Sequence, residues 1–265
     1  MLLSTKDYKY KSWAEKFPTN KVNLEPDVNS TWIPLFAKLI NNSKYKELEN
    51  KLSELVKDGK QIYPYPDLVF SAFKFTPFDK VKVVIIGQDP YFHMENGIPQ
   101  AMGLSFSVPF GINVPPSLQN IYKNMKRFGH LNTIPKHGNL QFIAYQGCLF
   151  LNTALTVTDG EKNSHSSMWK WMTDAIIKQI SDELVNIIFV LWGGPALSKI
   201  QLIDQDKHSV IISSHPSGLS VNTQLTGASI GKPKTIYSSF EDLDHFGEIN
   251  KILDKYKKDQ IVYGL

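Results

Sequence analysis

Four short apolar runs punctuate the chain from Val81 onward, each of strand length and each ending in polar or glycine residues. They read "VKVVIIG" (81–87), "CLFLN" (148–152), "VNIIFVLWGG" (185–194) and "SVIISSHPS" (209–217). Between them apolar positions recur at three and four, in "PPSLQNIYKNMKRFG" (115–129), "HSSMWKWMTDAIIKQISDEL" (165–184) and "GPALSKIQLI" (194–203). That is the period of a helix with one buried face. Two such patterns lie upstream. "TWIPLFAKLINN" spaces Trp32, Leu35, Phe36 and Leu39 this way, and "SKYKELENKLSELVKDG" does so with Leu48, Leu52 and Leu55 before Gly59 stops it. Continuous apolar strands alternating with helices predict an α/β fold, with a central four-stranded parallel sheet in a three-layer α/β/α arrangement. Residues 1–27, polar and irregular with Pro18 and Pro26, read as a variable lead-in, and 28–265 as one domain.

In open parallel sheets ligands bind at the carboxyl ends of the strands. The polar residues at those ends are Gln88 and Asp89, then Asn152, then Gly193 and Gly194, then His215, Pro216 and Ser217. Four loops from distant parts of the chain are therefore expected to converge on one cleft. Each has a plainer reading as well. Asp-Pro and glycine are common turn residues, and a histidine before proline is simply held extended. Ser117 in "PPS" reads either as an N-cap or as a hydroxyl at a phosphate-binding helix start. "WGG" reads as a turn, or as a place where backbone approaches a ligand.

Composition narrows the setting. At 265 residues with 42% hydrophobic and 20% charged content, the chain is an ordinary globular protein. No run is long enough to span a membrane, and "MLLSTKDYKYKSW" lacks a secretory h-region, so the expectation is a soluble intracellular protein. One cysteine, Cys148, excludes an internal disulfide and a cysteine-based metal site, and its apolar context reads as a buried, inert thiol. No metal and no cofactor are expected. The net charge of +4 tolerates a polyanionic partner without requiring one. Because Arg127 is the only arginine, phosphates would be held by lysines, hydroxyls and backbone N–H groups rather than by guanidinium forks.

Taken together, the ordered set "GQDPY", "GLSFSVP", "VPPSLQNIY", "LFLNTALTV", "NSH", "LWGG" and "HPSGLS" resembles uracil-DNA glycosylase of the family-1 type, from about residue 28 to the C-terminus. The similarity includes "IYPYPDLVFSAF" before the first motif and "HFGEINKIL" near the end. It implies that 28–265 is a catalytic domain that flips uracil out of DNA and hydrolyses its N-glycosidic bond, initiating base-excision repair. By that resemblance Asp89 is the carboxylate that positions water and stabilises the cationic sugar, and His215 donates to uracil O2. Gln88 and its neighbouring backbone hold the carbonyls, Tyr91 excludes the thymine methyl, Phe106 stacks on the base and Asn152 reads its N3 and O4 edge. Leu219 is the wedge. Pro115, Pro116, Ser117, Gly193, Gly194, Ser217 and Ser220 belong to the DNA-contacting loops. Implied partners are single- and double-stranded DNA containing uracil, and possible ones are a proteinaceous glycosylase inhibitor and replication proteins; a monomer is expected.

The chain departs from the family pattern at four places. Phe92 stands where a histidine usually follows the tyrosine, which is expected to change water placement. Gly194 takes the place of a phosphate-binding serine, and Gly218 that of a proline beside Leu219, which is expected to loosen the wedge loop. The stretch 221–244, longer than the family requires and carrying Lys232 and Lys234, reads as a solvated insertion, with contact to DNA as the alternative. Two rival readings stand beside the glycosylase: a DNA-binding replication or processivity subunit on the same fold, and a different base hydrolase on a similar sheet.

Overall fold

The computed structural model describes residues 2–264. Strands β1 (Val83–Gly87), β2 (Cys148–Asn152), β3 (Ile188–Trp192) and β4 (Ser209–Ser213) form a four-stranded sheet in the order β2-β1-β3-β4, all neighbours parallel. The four apolar runs are these four strands. β1, β2 and β3 are buried at every position, as strands covered on both faces must be. The register sets Gly87 beside Asn152 and Trp192 beside Ser213, so all four strands end along one edge of the sheet.

Alternation along the strands divides the core in two. Val84, Ile86, Leu149, Leu151, Phe189 and Leu191 face helices α1 (Ile33–Ile40), α2 (Ser43–Lys57) and α4 (Ser166–Glu183), where Phe36, Leu52, Trp169 and Ile176 are buried. Val83, Ile85, Phe150, Ile188, Val190 and Trp192 face α3 (Pro116–Arg127) and α5 (His245–Lys255) through Leu118, Ile121, Phe246 and Ile249. The layers are therefore α/β/α, as the pattern predicts. Each such side chain, fully buried, contributes about 1.5–3 kcal/mol of transfer free energy, so the two apolar faces of the sheet hold the loop ends in place.

Local details differ from the sequence reading where periodicity is a poor guide. Trp32 lies in a 3-10 turn that precedes α1, with its indole N–H donating to Thr76 O at 2.8 Å. "GPALSKIQLI" is a four-residue helix, Gly194–Leu197, that tightens into 3-10 geometry over Ser198–Leu202. Cys148 is buried, and burial pushes its thiol up to about 12, as expected for an inert group. The lead-in is packed rather than loose. Trp13, Phe17, Val22 and Leu24 join the core against α1 and α2, and the Trp13 indole donates to Pro64 O at 2.9 Å. The backbone N–H of Leu3 donates to Gln141 Oε1 at 2.6 Å. Residues 221–244 contain an antiparallel hairpin, β5 (Leu225–Gly227) and β6 (Lys232–Tyr237), whose second strand is mostly exposed.

Candidate active site

The loops leaving the carboxyl ends of the four strands enclose a cleft of about 450 Å³. Its walls include Gln88, Asp89 and Tyr91 after β1, Asn152 at the end of β2, Gly193 and Gly194 after β3, and His215, Ser217 and Ser220 after β4. Phe106 and Ser117 complete it from the segment leading into α3. Pro115 and Pro116 stand one step back. Pro115 occupies the N-cap position of α3 and Pro116 its first turn, so Ser117 is not the cap and its hydroxyl belongs to the cleft wall. Leu219 lies outside the cavity on the rim, 94% exposed.

Asp89 is held by two turns far apart in sequence. Its Oδ2 accepts the backbone N–H of Asn163 at 2.8 Å. The Gln88 side-chain amide donates to Asn163 Oδ1 at 2.7 Å, which ties the same two turns a second time. The Gln88 carbonyl accepts the Ala154 N–H at 3.0 Å and the Thr153 hydroxyl at 2.8 Å. Desolvation raises the Asp89 pKa above the ordinary carboxylate value, while the Asn163 N–H and the nearby Lys162 ammonium oppose that rise. The Gln88 side-chain amide is engaged by Asn163.

Asn163 and Lys162 are functional candidates that sequence reasoning missed. The signal was present in the "NSH" run, but the acting group of Asn163 is its backbone N–H, presented from a left-handed conformation at φ 65°. His165 anchors that turn: its Nδ1 lies 2.7 Å from the Thr156 hydroxyl and its Nε2 2.9 Å from that of Thr158. Burial lowers the His165 pKa to about 4.

The two ends of the cavity are built by close approach. Asn152 is 6% exposed, and its side chain lies over Gly87, where any Cβ would overlap Asn152 Oδ1. Only glycine lets the amide sit at the end of β1. Across from it, Phe106 has a left-handed backbone, φ 62°, which costs a non-glycine residue about 1–2 kcal/mol. The Tyr91 hydroxyl donates to the Phe106 carbonyl at 3.3 Å and helps to hold that conformation. The Phe106 ring packs edge-on against Trp192 at 5.4 Å, and Trp192 in turn against Phe240 at 5.1 Å. The Trp192 indole donates to His245 Nδ1 at 3.2 Å, leaving His245 Nε2–H to donate to Phe240 O at 3.0 Å.

His215 is oriented by its own loop. The Ser217 N–H donates to His215 Nδ1 at 3.0 Å, so the neutral ring carries its proton on Nε2. Burial, reinforced by Lys162, lowers its pKa to about 4. Gly193, at φ 87°, passes so near that a Cβ there would lie 3.0 Å from the His215 Cβ. The loop bearing Leu219 is braced from within: the Ser220 hydroxyl donates to His215 O at 3.1 Å, the Ser214 hydroxyl to Ser220 O at 2.8 Å, and Asn120 Nδ2 to Pro216 O at 2.8 Å. Phe92 and, from the 221–244 stretch, Thr223, Gln224 and Leu225 also line the cleft. That stretch therefore contributes a wall of the cavity as well as the exposed β6.

A model of the Uracil DNA glycosylase superfamily matches residues 73–243. The chain is 40% identical over 269 residues to the probable uracil-DNA glycosylase of Acanthamoeba polyphaga mimivirus, covering 100% of this chain and 73% of that protein. It is 50% identical over 183 residues to the uracil-DNA glycosylase of Azotobacter vinelandii, covering 69% of this chain and 77% of that one. The crystal structure of mimivirus uracil-DNA glycosylase superposes with a TM-score of 0.94 at 39% identity, over 100% of this chain and 97% of the other. A variant of mimivirus UNG in complex with UGI gives 0.95 at 40% identity, over 100% and 99%. With the family model across well over half its length and full-length relatives at this identity, the chain belongs to the uracil DNA glycosylase superfamily.

Proposed function

We propose that this chain removes uracil from DNA by dissociative hydrolysis of the N-glycosidic bond, with Asp89 and His215 on the two sides of the breaking bond. The observation that carries the reading is the pairing of a half-buried, oriented carboxylate with a half-buried histidine whose proton is directed to Nε2. Heterolysis leaves a cationic sugar and a uracil anion, so catalysis needs fixed negative charge at the first and a fixed donor at the second. Asp89 supplies the charge and orients the attacking water. His215 supplies the Nε2–H to O2, and its neutral state suits donation to an anion without prior protonation of the base.

The base must leave the helix to reach the cavity, at a cost of a few kcal/mol. Leu219, exposed on a braced loop, fills the gap in the stack and stabilises the extruded state. Asn152 offers a donor to O4 and an acceptor to N3–H, a pattern that cytosine reverses. Phe106 is the stacking surface, backed by Trp192. Tyr91 stands against C5, where its ring leaves no room for a methyl group. The main chain beside Gln88 holds the carbonyls. Ser117, Ser217, Ser220 and the backbone at Gly193 and Gly194 position the phosphates flanking the lesion, contacts that place the protein without reading sequence.

The reading extends to residues 28–265 as the catalytic unit with 1–27 strapped onto it, to action on both single- and double-stranded DNA, and to a monomer inside the cell. An inhibitor protein of the kind bound to mimivirus UNG is a fitting partner, since the UNG chain of that complex superposes along the whole of this chain. No described helix is long and apolar enough to cross a membrane. The experiment is cleavage of matched oligonucleotides carrying one uracil, one thymine or one cytosine, with alkali used to cut abasic sites. Cleavage at uracil alone supports the reading. Cleavage at thymine would point to a different base hydrolase, and DNA binding without cleavage to a DNA-binding subunit.

A further inference from the structure

Lys162 lines the mouth of the cleft and belongs to none of the loops assigned to DNA above. Its place is fixed on both sides. Glu161 is tied to Lys60 at 2.9 Å, and Asn163 is tied to Asp89 and Gln88. The turn is anchored again where the Gly160 N–H donates to Phe92 O at 2.8 Å and the Thr158 N–H to the Ser164 hydroxyl at 3.0 Å. From this turn the exposed Lys162 side chain faces the cavity, and among the described residues its ammonium has no ion pair and no hydrogen bond. Its charge nevertheless reaches both Asp89 and His215.

An unpaired cation beside a sugar that becomes cationic opposes the reaction. That penalty disappears when the ammonium is itself neutralised. The only fixed anions that the substrate brings to this position are the phosphodiesters flanking the extruded nucleotide. In a chain with one arginine, a lysine on a braced turn is the cation available for them.

We propose that Lys162 grips a backbone phosphate next to the extruded uridine, supplying a charge-based contact where the other phosphate-positioning groups are hydroxyls and amides. The proposal rests on the reading of the cleft as the uracil site. A lysine that neutralises one phosphate of a single strand contributes about 0.7 to the slope of log affinity against log salt.

The test compares wild type, Lys162→Gln, Lys162→Arg and the remote, exposed Lys57→Gln on a single-stranded oligonucleotide with one uracil, between 25 and 200 mM salt. KM and kcat are measured, together with equilibrium binding by fluorescence anisotropy. Lys162→Gln is expected to raise KM and Kd about tenfold at low salt, to leave kcat within about twofold, and to flatten the salt slope by about 0.7. Lys162→Arg should keep the wild-type slope, and so should Lys57→Gln. An unchanged slope in Lys162→Gln overturns the proposal, as does an equal flattening in Lys57→Gln. A fall in kcat with KM and slope unchanged also overturns it and assigns the ammonium to the uracil anion instead. Binding without cleavage by the wild type would sink the glycosylase reading, while the binding slope still decides the role of Lys162.

Discussion

Asp89 accepts a hydrogen bond from the backbone N–H of Asn163 at 2.8 Å, across 74 residues of chain. The turn after β1 and the turn before α4 are thereby locked to each other at the wall of the cleft. Gln88 repeats the link through Asn163 Oδ1. Desolvation raises the pKa of the Asp89 carboxylate, and a main-chain donor and the Lys162 ammonium stand against that rise.

Tyr91→Ala removes the ring proposed to exclude a methyl at C5. The variant should acquire detectable cleavage at thymine opposite adenine while retaining part of its uracil activity. It also loses the bond to Phe106 O, so its stability should fall by about 1–3 kcal/mol, checked by urea denaturation. A folded variant with unchanged base choice would remove Tyr91 from the specificity argument.

Leu219 is almost wholly exposed, so Leu219→Ala should change stability by less than about 0.5 kcal/mol. Its effect should appear in activity instead. Cleavage of uracil in duplex DNA should fall by tenfold or more, and cleavage in a single strand much less, because a single strand has no stack to refill. The ratio of the two kcat/KM values is the measurement.

Gly87→Ala places a methyl group on Asn152 Oδ1 and against Ser105 Cβ. Both neighbours sit in close-packed surroundings, so the strand end must shift, at a cost of about 1–3 kcal/mol. The displaced amide should lower kcat/KM for uracil by about 100-fold. Thermal denaturation and single-turnover kinetics on the same preparation check the two parts.

Acid should weaken the fold through three histidines that are held neutral. His165, His215 and His245 all have pKa values lowered from 6.5 to about 4, chiefly by burial. In the unfolded chain they take up protons as pH drops below about 6.5, whereas in the native protein they stay neutral until about 4. The unfolded state therefore binds more protons in that window, and stability falls as pH falls, by about 1.4 kcal/mol per unit for each histidine. Asp89, whose pKa is raised, acts in the opposite direction over its own range. Urea midpoints between pH 7 and 4.5 should decline steadily, and His245→Phe should show a shallower decline.

The sheet was legible because strands buried on both faces are continuous apolar runs, and "VKVVIIG", "CLFLN" and "VNIIFVLWGG" combine strand length, β-branched and aromatic residues and a polar or glycine end. The cleft was legible for a related reason: the polar residues that end those runs, from Asp89 to His215, lie on one edge once the strands are parallel. Asn163 was not, since what acts is a main-chain N–H that any residue type carries, presented by a turn conformation rather than by a side-chain pattern. Trp13 and Phe17 escaped because four residues of helix carry too little periodicity to announce a buried face. Nor could Pro115 be told from Ser117 as the start of α3, since both are favoured near a helix N-terminus.

The central claim, that the half-buried carboxylate at position 89 stabilises the cationic sugar, is tested most directly by single-turnover cleavage and equilibrium binding of a uracil oligonucleotide with Asp89→Asn. The substitution keeps the shape and removes the charge. The rate should fall at least 100-fold, while the Kd for the same oligonucleotide changes by less than about threefold. A rate within tenfold of wild type would contradict the account and take the catalytic charge away from Asp89.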